Sequence, residues 1–188
     1  MQILNDINNL IQEASIPFGY RQRVEVIIFR EDGKLLQTII PPYRGINTGS
    51  YWGFPGGGIE SGDNSITTVK KETLEEVGIA LDNIKKIKKA DYIMEWKEDK
   101  NWNNKTLERA KTFKGSKTEY FTANFKNEDS SLYGNDKDTL EFQWVTIQEA
   151  KRNLKKKIKE FEDPKQISIF KARLNALRLI NNPPISAA

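Results

Sequence analysis

Residues 56–79 constrain this chain more than any other stretch. Gly56-Gly57-Gly58-Ile59-Glu60-Ser61-Gly62-Asp63 runs into a segment that ends Lys71-Glu72-Thr73-Leu74-Glu75-Glu76-Val77-Gly78-Ile79. The pattern predicts a glycine-rich loop feeding a helix over 65–77. Asp63 or Ser65 would cap that helix, and Gly78 would stop it at its C′ position. With Glu72 as zero and about 100° per residue, Glu75 lies near about −60° and Glu76 near about +40°. The three carboxylates therefore share one face. Ile66, Val69, Thr73 and Val77 form the adjoining stripe, which is expected to face the core. Like charges on adjacent turns destabilise a helix, and Glu75 and Glu76 sit at the negative end of its dipole. A bound divalent cation would reverse both penalties. Three consecutive glycines let backbone groups approach a phosphate or a metal closely. Taken alone, the acidic run also fits a solvated face with lysine partners, and the glycines also fit a flexible turn.

Two absences exclude much chemistry. The 188 residues include no cysteine and no histidine. That removes disulfides, thiolate nucleophiles, zinc–thiolate clusters, Ser-His-Asp triads and imidazole ligands. Oxygen-only ligation points to a hard cation such as magnesium or manganese. The formal charge is +4, with lysines clustered at 85–89 and 151–159. That balance suits a polyanionic substrate or nucleic acid, although lysine runs usually mark a solvated helix face or turn. With 37% hydrophobic and 30% charged residues, the chain has the composition of one domain with a real core. No apolar run approaches the ~20 residues of a membrane span, and the N-terminus lacks the form of a secretory signal. The expectation is one cytoplasmic domain over 1–188.

The remaining segments organise around the loop and helix. Residues 1–15 read as an amphipathic helix, with Ile3, Leu4, Ile7, Leu10 and Ile11 on one stripe. It would pack on the domain or form a homodimer contact, and a linker would follow to residue 20. Residues 23–30 and 35–40 read as a β-hairpin around Gly33. Residues 43–50 read as a polar loop. Residues 79–94 hold a strand or two. Residues 95–117 read as a polar, irregular insertion carrying Trp96 and Trp102, and a stretch this long without periodicity is often functional. Strands are predicted over 119–125 and 142–147 with a loop at 127–138 between them. Helices follow over 148–159 and 164–181, and 182–188 reads as a frayed tail.

Residues 57–79 resemble the signature of the Nudix hydrolases, G-x5-E-x7-R-E-U-x-E-E-x-G-U, where U is aliphatic. Gly57, Glu72, Glu75, Glu76, Gly78 and Ile79 match it. Asp63 stands at the first glutamate, Lys71 at the arginine and Thr73 at an aliphatic position. Trp52-Gly53-Phe54-Pro55-Gly56 resembles the family's lead-in, and Phe142-Gln143-Trp144-Val145 followed by Glu149-Ala150 resembles its late strand. The resemblance implies an α/β fold: an α/β/α sandwich with a mixed sheet, here with extra N-terminal and C-terminal helices. It implies Mg2+ or Mn2+ held by Glu75, Glu76 and the Gly56 carbonyl, with Glu72 either a further ligand or the group that orients the attacking water, and with Glu72 and Glu76 catalytic. Asp138, six residues before Trp144, fits the family's additional loop acid, with Glu141 and Glu119 as alternatives. Lysine cannot make arginine's two-pronged contact, so the 63–71 tie is expected to be weaker or re-aimed. The Thr73 hydroxyl is expected to bond back along the helix.

The implied reaction is hydrolysis of a pyrophosphate bond in a nucleoside diphosphate linked to another group. Nucleoside triphosphates, dinucleoside polyphosphates and RNA 5′ ends all remain open as substrates. Gly57 and Gly58 would approach the phosphates, and Trp96 and Trp102 would stack a base or else pin their loop to the core. The alternative is a non-catalytic Nudix-like module that binds nucleotide or RNA.

Overall fold

The computed structural model describes residues 19–40, 51–96, 104–125 and 141–180. The expected N-terminal helix, the 43–50 and 127–138 loops, Trp102, Asp138 and the 182–188 tail lie outside the described residues. In order, the elements are strands β1 (Arg21–Phe29), β2 (Leu35–Ile40) and β3 (Tyr51–Gly53), helix α1 (Ser65–Val77), strands β4 (Leu81–Lys86) and β5 (Tyr92–Glu95), helix α2 (Asn104–Thr112), strands β6 (Gly115–Phe125) and β7 (Glu141–Val145), and helices α3 (Ile147–Glu160) and α4 (Pro164–Leu179). The described strands form a mixed sheet in the order β3-β2-β1-β6-β4, with β5 on β6 and β7 on β2.

The chain divides into two compact units. The larger one, from Arg23 to Tyr92 and onward from Thr118, is built on the period-two alternation of β1. Val24, Val26 and Ile28 point to one face of the sheet, where Val69 and Val77 of α1 join them with Ile79. Ile27 and Phe29 point to the other face and meet Leu154 of α3 and Phe170, Leu174 and Leu177 of α4. Helices thus cover both faces, as the α/β/α expectation requires. A capping box between Thr146 and Glu149 starts α3. Asp163 caps α4, with Pro164 in its first turn.

In the smaller unit, β5 pairs with β6, the Trp96 amide donates to the Lys114 carbonyl and the Lys114 amide donates to the Gly19 carbonyl. The expectation of irregular chain over 95–117 is corrected here, because α2 lies within it. Asn-Lys-Thr-Leu-Glu-Arg-Ala-Lys-Thr is made of residues that tolerate a helix, but it has one large apolar side chain, Leu107, which is itself 42% exposed. No apolar stripe announces it. Likewise β6 starts at Gly115, not at 119. Its first residues are small and polar yet buried, and a Cβ on Gly115 would strike the Met94 carbonyl.

Helix α1 matches its expected span, with two corrections. Its N-cap is Asn64, whose Oδ1 accepts from the Thr67 amide at 2.9 Å. Ser65 instead donates to Glu119, and Asp63 turns toward Lys71. Ile66 is 39% exposed, while Thr68 takes the buried place expected of it. Gly78 ends the helix at φ 76°, in the left-handed region that glycine enters without strain. The Thr73 hydroxyl donates to the Val69 carbonyl at 2.8 Å, inside the buried stripe. Such a back-bond adds little to a helix carbonyl already within the helix ladder. Thr73→Val is therefore expected to change stability by less than ~1 kcal/mol, which thermal melting would check.

Candidate active site

The glycine loop lies directly on β1. The Val24 amide donates to the Gly57 carbonyl and the Val26 amide to the Pro55 carbonyl, each at 2.9 Å. Gly58 extends the contact as an isolated antiparallel bridge with Arg23. This approach leaves no room for side chains. A Cβ on Gly56 would collide with the Val24 carbonyl oxygen and the Glu25 Cα, and one on Gly57 would collide with the Glu72 carboxyl group. Gly56 is therefore a packing requirement of the loop on the strand, and Gly57 one of its contact with Glu72.

Helix α1 delivers two carboxylates to that loop. The Gly56 amide donates to Glu76 Oε2 at 3.0 Å, and the Glu72 carboxyl lies against Gly57. Both side chains are half-buried, and Glu75 is exposed. The i, i+4 spacing of Glu72 and Glu76 explains why these two share the inner line. Gly56, Gly57, Glu72 and Glu76 thus lie together where the loop meets the helix. Gly58 is buried in its backbone bridge. Trp96 belongs to the smaller unit.

Burial pushes the Glu72 carboxyl group above the ordinary glutamate range; Glu75 raises it further, while Arg23 and Lys71 pull it down. Its native pKa is thus raised, so the folded state binds this proton more tightly than the unfolded chain. The resulting stabilisation is full below the unfolded value and is lost as pH rises through the native one. In metal-free protein, Glu72→Gln should match the parent's melting temperature at pH 4 and below and exceed it at pH 7. A difference that is flat across this range would contradict the buried-charge account.

Among the described residues, no three acidic side chains converge closely enough to hold a metal ion. The donor chemistry nonetheless fits a hard divalent cation, since half-buried carboxylate oxygens are the ligands such an ion takes.

The tie across the loop is re-aimed, as expected. Lys71 Nζ lies 3.2 Å from Glu60 and 3.9 Å from Asp63. Glu60 was not foreseen; it is the nearer acid, and its position in the loop was the available signal. Glu119, an alternative for the additional acid, accepts from Ser65 at 2.7 Å and from Lys86 at 2.5 Å. It therefore ties the first turn of α1 to β4 and β6. Glu141 stands at the start of β7, opposite Ile39.

A second charged group behind the loop also escaped sequence reasoning. Arg173 on α4 donates from Nε and Nη2 to the two oxygens of Glu25 on β1, each at 2.8 Å, and from Nη1 to the Trp52 carbonyl at 3.1 Å. Both side chains are buried. Nearby, burial and then the Glu25 charge push the Tyr120 phenol well up. The signal was present in the sequence: Glu25 interrupts an apolar strand, and Arg173 falls on the Phe170-Leu174-Leu177 stripe.

This fold and loop–helix geometry define a class, and comparison with known proteins identifies it. The family model for the NUDIX domain matches residues 19–165. The chain belongs to the Nudix family. It is 26% identical over 154 residues to an RNA pyrophosphohydrolase of Bartonella clarridgeiae, covering 76% of this chain and 84% of that protein. Among solved structures, it resembles a NUDIX hydrolase from Nitrosomonas europaea with a TM-score of 0.55 and 17% identity, over 88% of this chain and 93% of that one. It also resembles a C. elegans Ap4A hydrolase in a binary complex, with a TM-score of 0.51 and 13% identity, over 83% and 92% of the two chains. Among the described residues, no helix is long and apolar enough to cross a membrane.

Proposed function

We propose that the protein is a divalent-metal-dependent hydrolase of a pyrophosphate bond in a nucleoside diphosphate linked to another group. The observation that carries this reading is the seating of Glu72 and Glu76 against the Gly56–Gly57 backbone. Glu72, Glu75, Glu76 and the Gly56 carbonyl would hold Mg2+ or Mn2+. When bound, such an ion supplies neutralisation of phosphate charge as water attacks phosphorus.

The chain's own groups supply the rest. Glu72, whose carboxyl group lies against Gly57, is the group that takes a proton from the attacking water in this scheme. Asp138 is the additional acid in this scheme. In this scheme Gly57 and Gly58 are the loop residues that phosphates approach, and Trp96 and Trp102 are the groups proposed to stack a base. The name of the Bartonella relative favours an RNA 5′ end over a free nucleotide as the substrate.

The test is phosphate and pyrophosphate release with magnesium across three substrates: a 5′-triphosphorylated RNA, a dinucleoside polyphosphate and a nucleoside triphosphate. Turnover of the RNA above the other two is expected. Tight binding of all three without turnover would favour the non-catalytic module instead.

A further inference from the structure

The Glu25–Arg173 pair lies on the α3/α4 side of the sheet, away from the carboxylates of α1, and the proposed chemistry does not use it. Burying two charges is an inefficient way to stabilise a fold, because apolar residues of similar size often do as well or better. What such a pair gives is direction. The guanidinium fork reaches both carboxylate oxygens of Glu25 and, with a third donor, the Trp52 carbonyl.

Those two attachment points flank the loop. The residues on either side of Glu25 donate their amides to Pro55 and Gly57. The Cα of Glu25 is one of the atoms that forbids a side chain at Gly56. Trp52 begins the lead-in to Pro55 and is paired with Ile39 on β2. One side chain from α4 therefore grips β1 beneath the loop and the strand that enters it. The Gly56 amide, at the centre of this arrangement, is the group that holds Glu76.

We propose that Glu25 and Arg173 are a positioning pair for the glycine loop, acting through Gly56 on Glu76. The inference rests on the hydrolase reading for its effect on turnover, but not for its effect on the loop.

The test compares the parent with Glu25→Met/Arg173→Met, which removes both charges together. Amide exchange at Val24, Val26 and Gly56 is expected to rise by about tenfold or more, while the Thr68 and Ala150 amides hold their parental rates. Against the best substrate, kcat is expected to fall by about tenfold or more with KM within about twofold, the signature of misaligned chemistry. Parental exchange at these three amides, or faster exchange with parental kcat, overturns the proposal. If the double variant does not fold, Arg173→Lys keeps the charge without the fork and is read by the same amides and the same kcat, with the same outcomes deciding. A parent without turnover on any substrate would reject the hydrolase reading, and loop exchange would then decide the positioning role by itself.

Discussion

Glu76→Gln is expected to lower kcat by roughly 10²–10³-fold, the range seen when one preorganised electrostatic group is removed from a site. The fold should not suffer. Glutamine has the shape of glutamate, and its Oε1 can still accept from the Gly56 amide, now 3.0 Å from the carboxylate. Only the charge is lost, and with it the attraction for a divalent cation. Initial rates at saturating magnesium, paired with a melting curve, separate the two effects. A variant with parental turnover would take Glu76 out of the active site, and one with a collapsed melting temperature would make its role structural.

The second large effect is a contrast between neighbouring glycines. Both glycines stand in close approach to neighbouring atoms. At Gly56, an added methyl meets the main chain of Val24 and Glu25, which belongs to a buried central strand and cannot withdraw. Gly56→Ala is expected to destabilise by about 3 kcal/mol, at the upper end of overpacking costs. At Gly57, the obstacle is the Glu72 carboxyl, the far end of a side chain that can swing aside. Gly57→Ala should therefore keep most of its stability, within about 1 kcal/mol. It should lose activity by roughly 10²-fold, because the proposed proton acceptor, Glu72, is displaced. Denaturant titration and initial rates on the two variants form the test. Equal losses of stability would show that the loop does not rest on β1 in this way.

The parts of this architecture that were legible in the sequence are those with a local rule. β1 declares itself by its β-branched run and α1 by its apolar stripe and the glycine that stops it. The last helix does so by the face that carries Ile167, Phe170, Leu174 and Leu177. The glycine loop was legible as a close approach, although not what it approaches, because β1 precedes it by some thirty residues and no short-range pattern links them. α2 was missed because a mostly polar helix carries no stripe to read. The cap of α1 was misassigned among three adjacent residues, Asp63, Asn64 and Ser65, all of them good caps by type. What decides among them is the partner each side chain meets: Lys71 within α1 draws Asp63, and Glu119 on β6 accepts from Ser65. The Glu25–Arg173 pair belongs to the same category. Each residue is anomalous in its own segment, and only the fold makes them partners.

The sequence separation of that pair bears on the order in which the protein becomes competent. Glu25 and Arg173 are 148 positions apart. Closing a loop of that length carries an entropic cost on the order of 4 kcal/mol, so their contact is expected among the last to form. During synthesis, β1, the glycine loop and α1 all leave the ribosome well before α4. A nascent chain would therefore hold all the described acidic residues of the site while the clamp behind the loop is still missing. Recovery of turnover on refolding is accordingly expected to lag behind recovery of helical signal, with the closing step timed by the docking of α4 on β1.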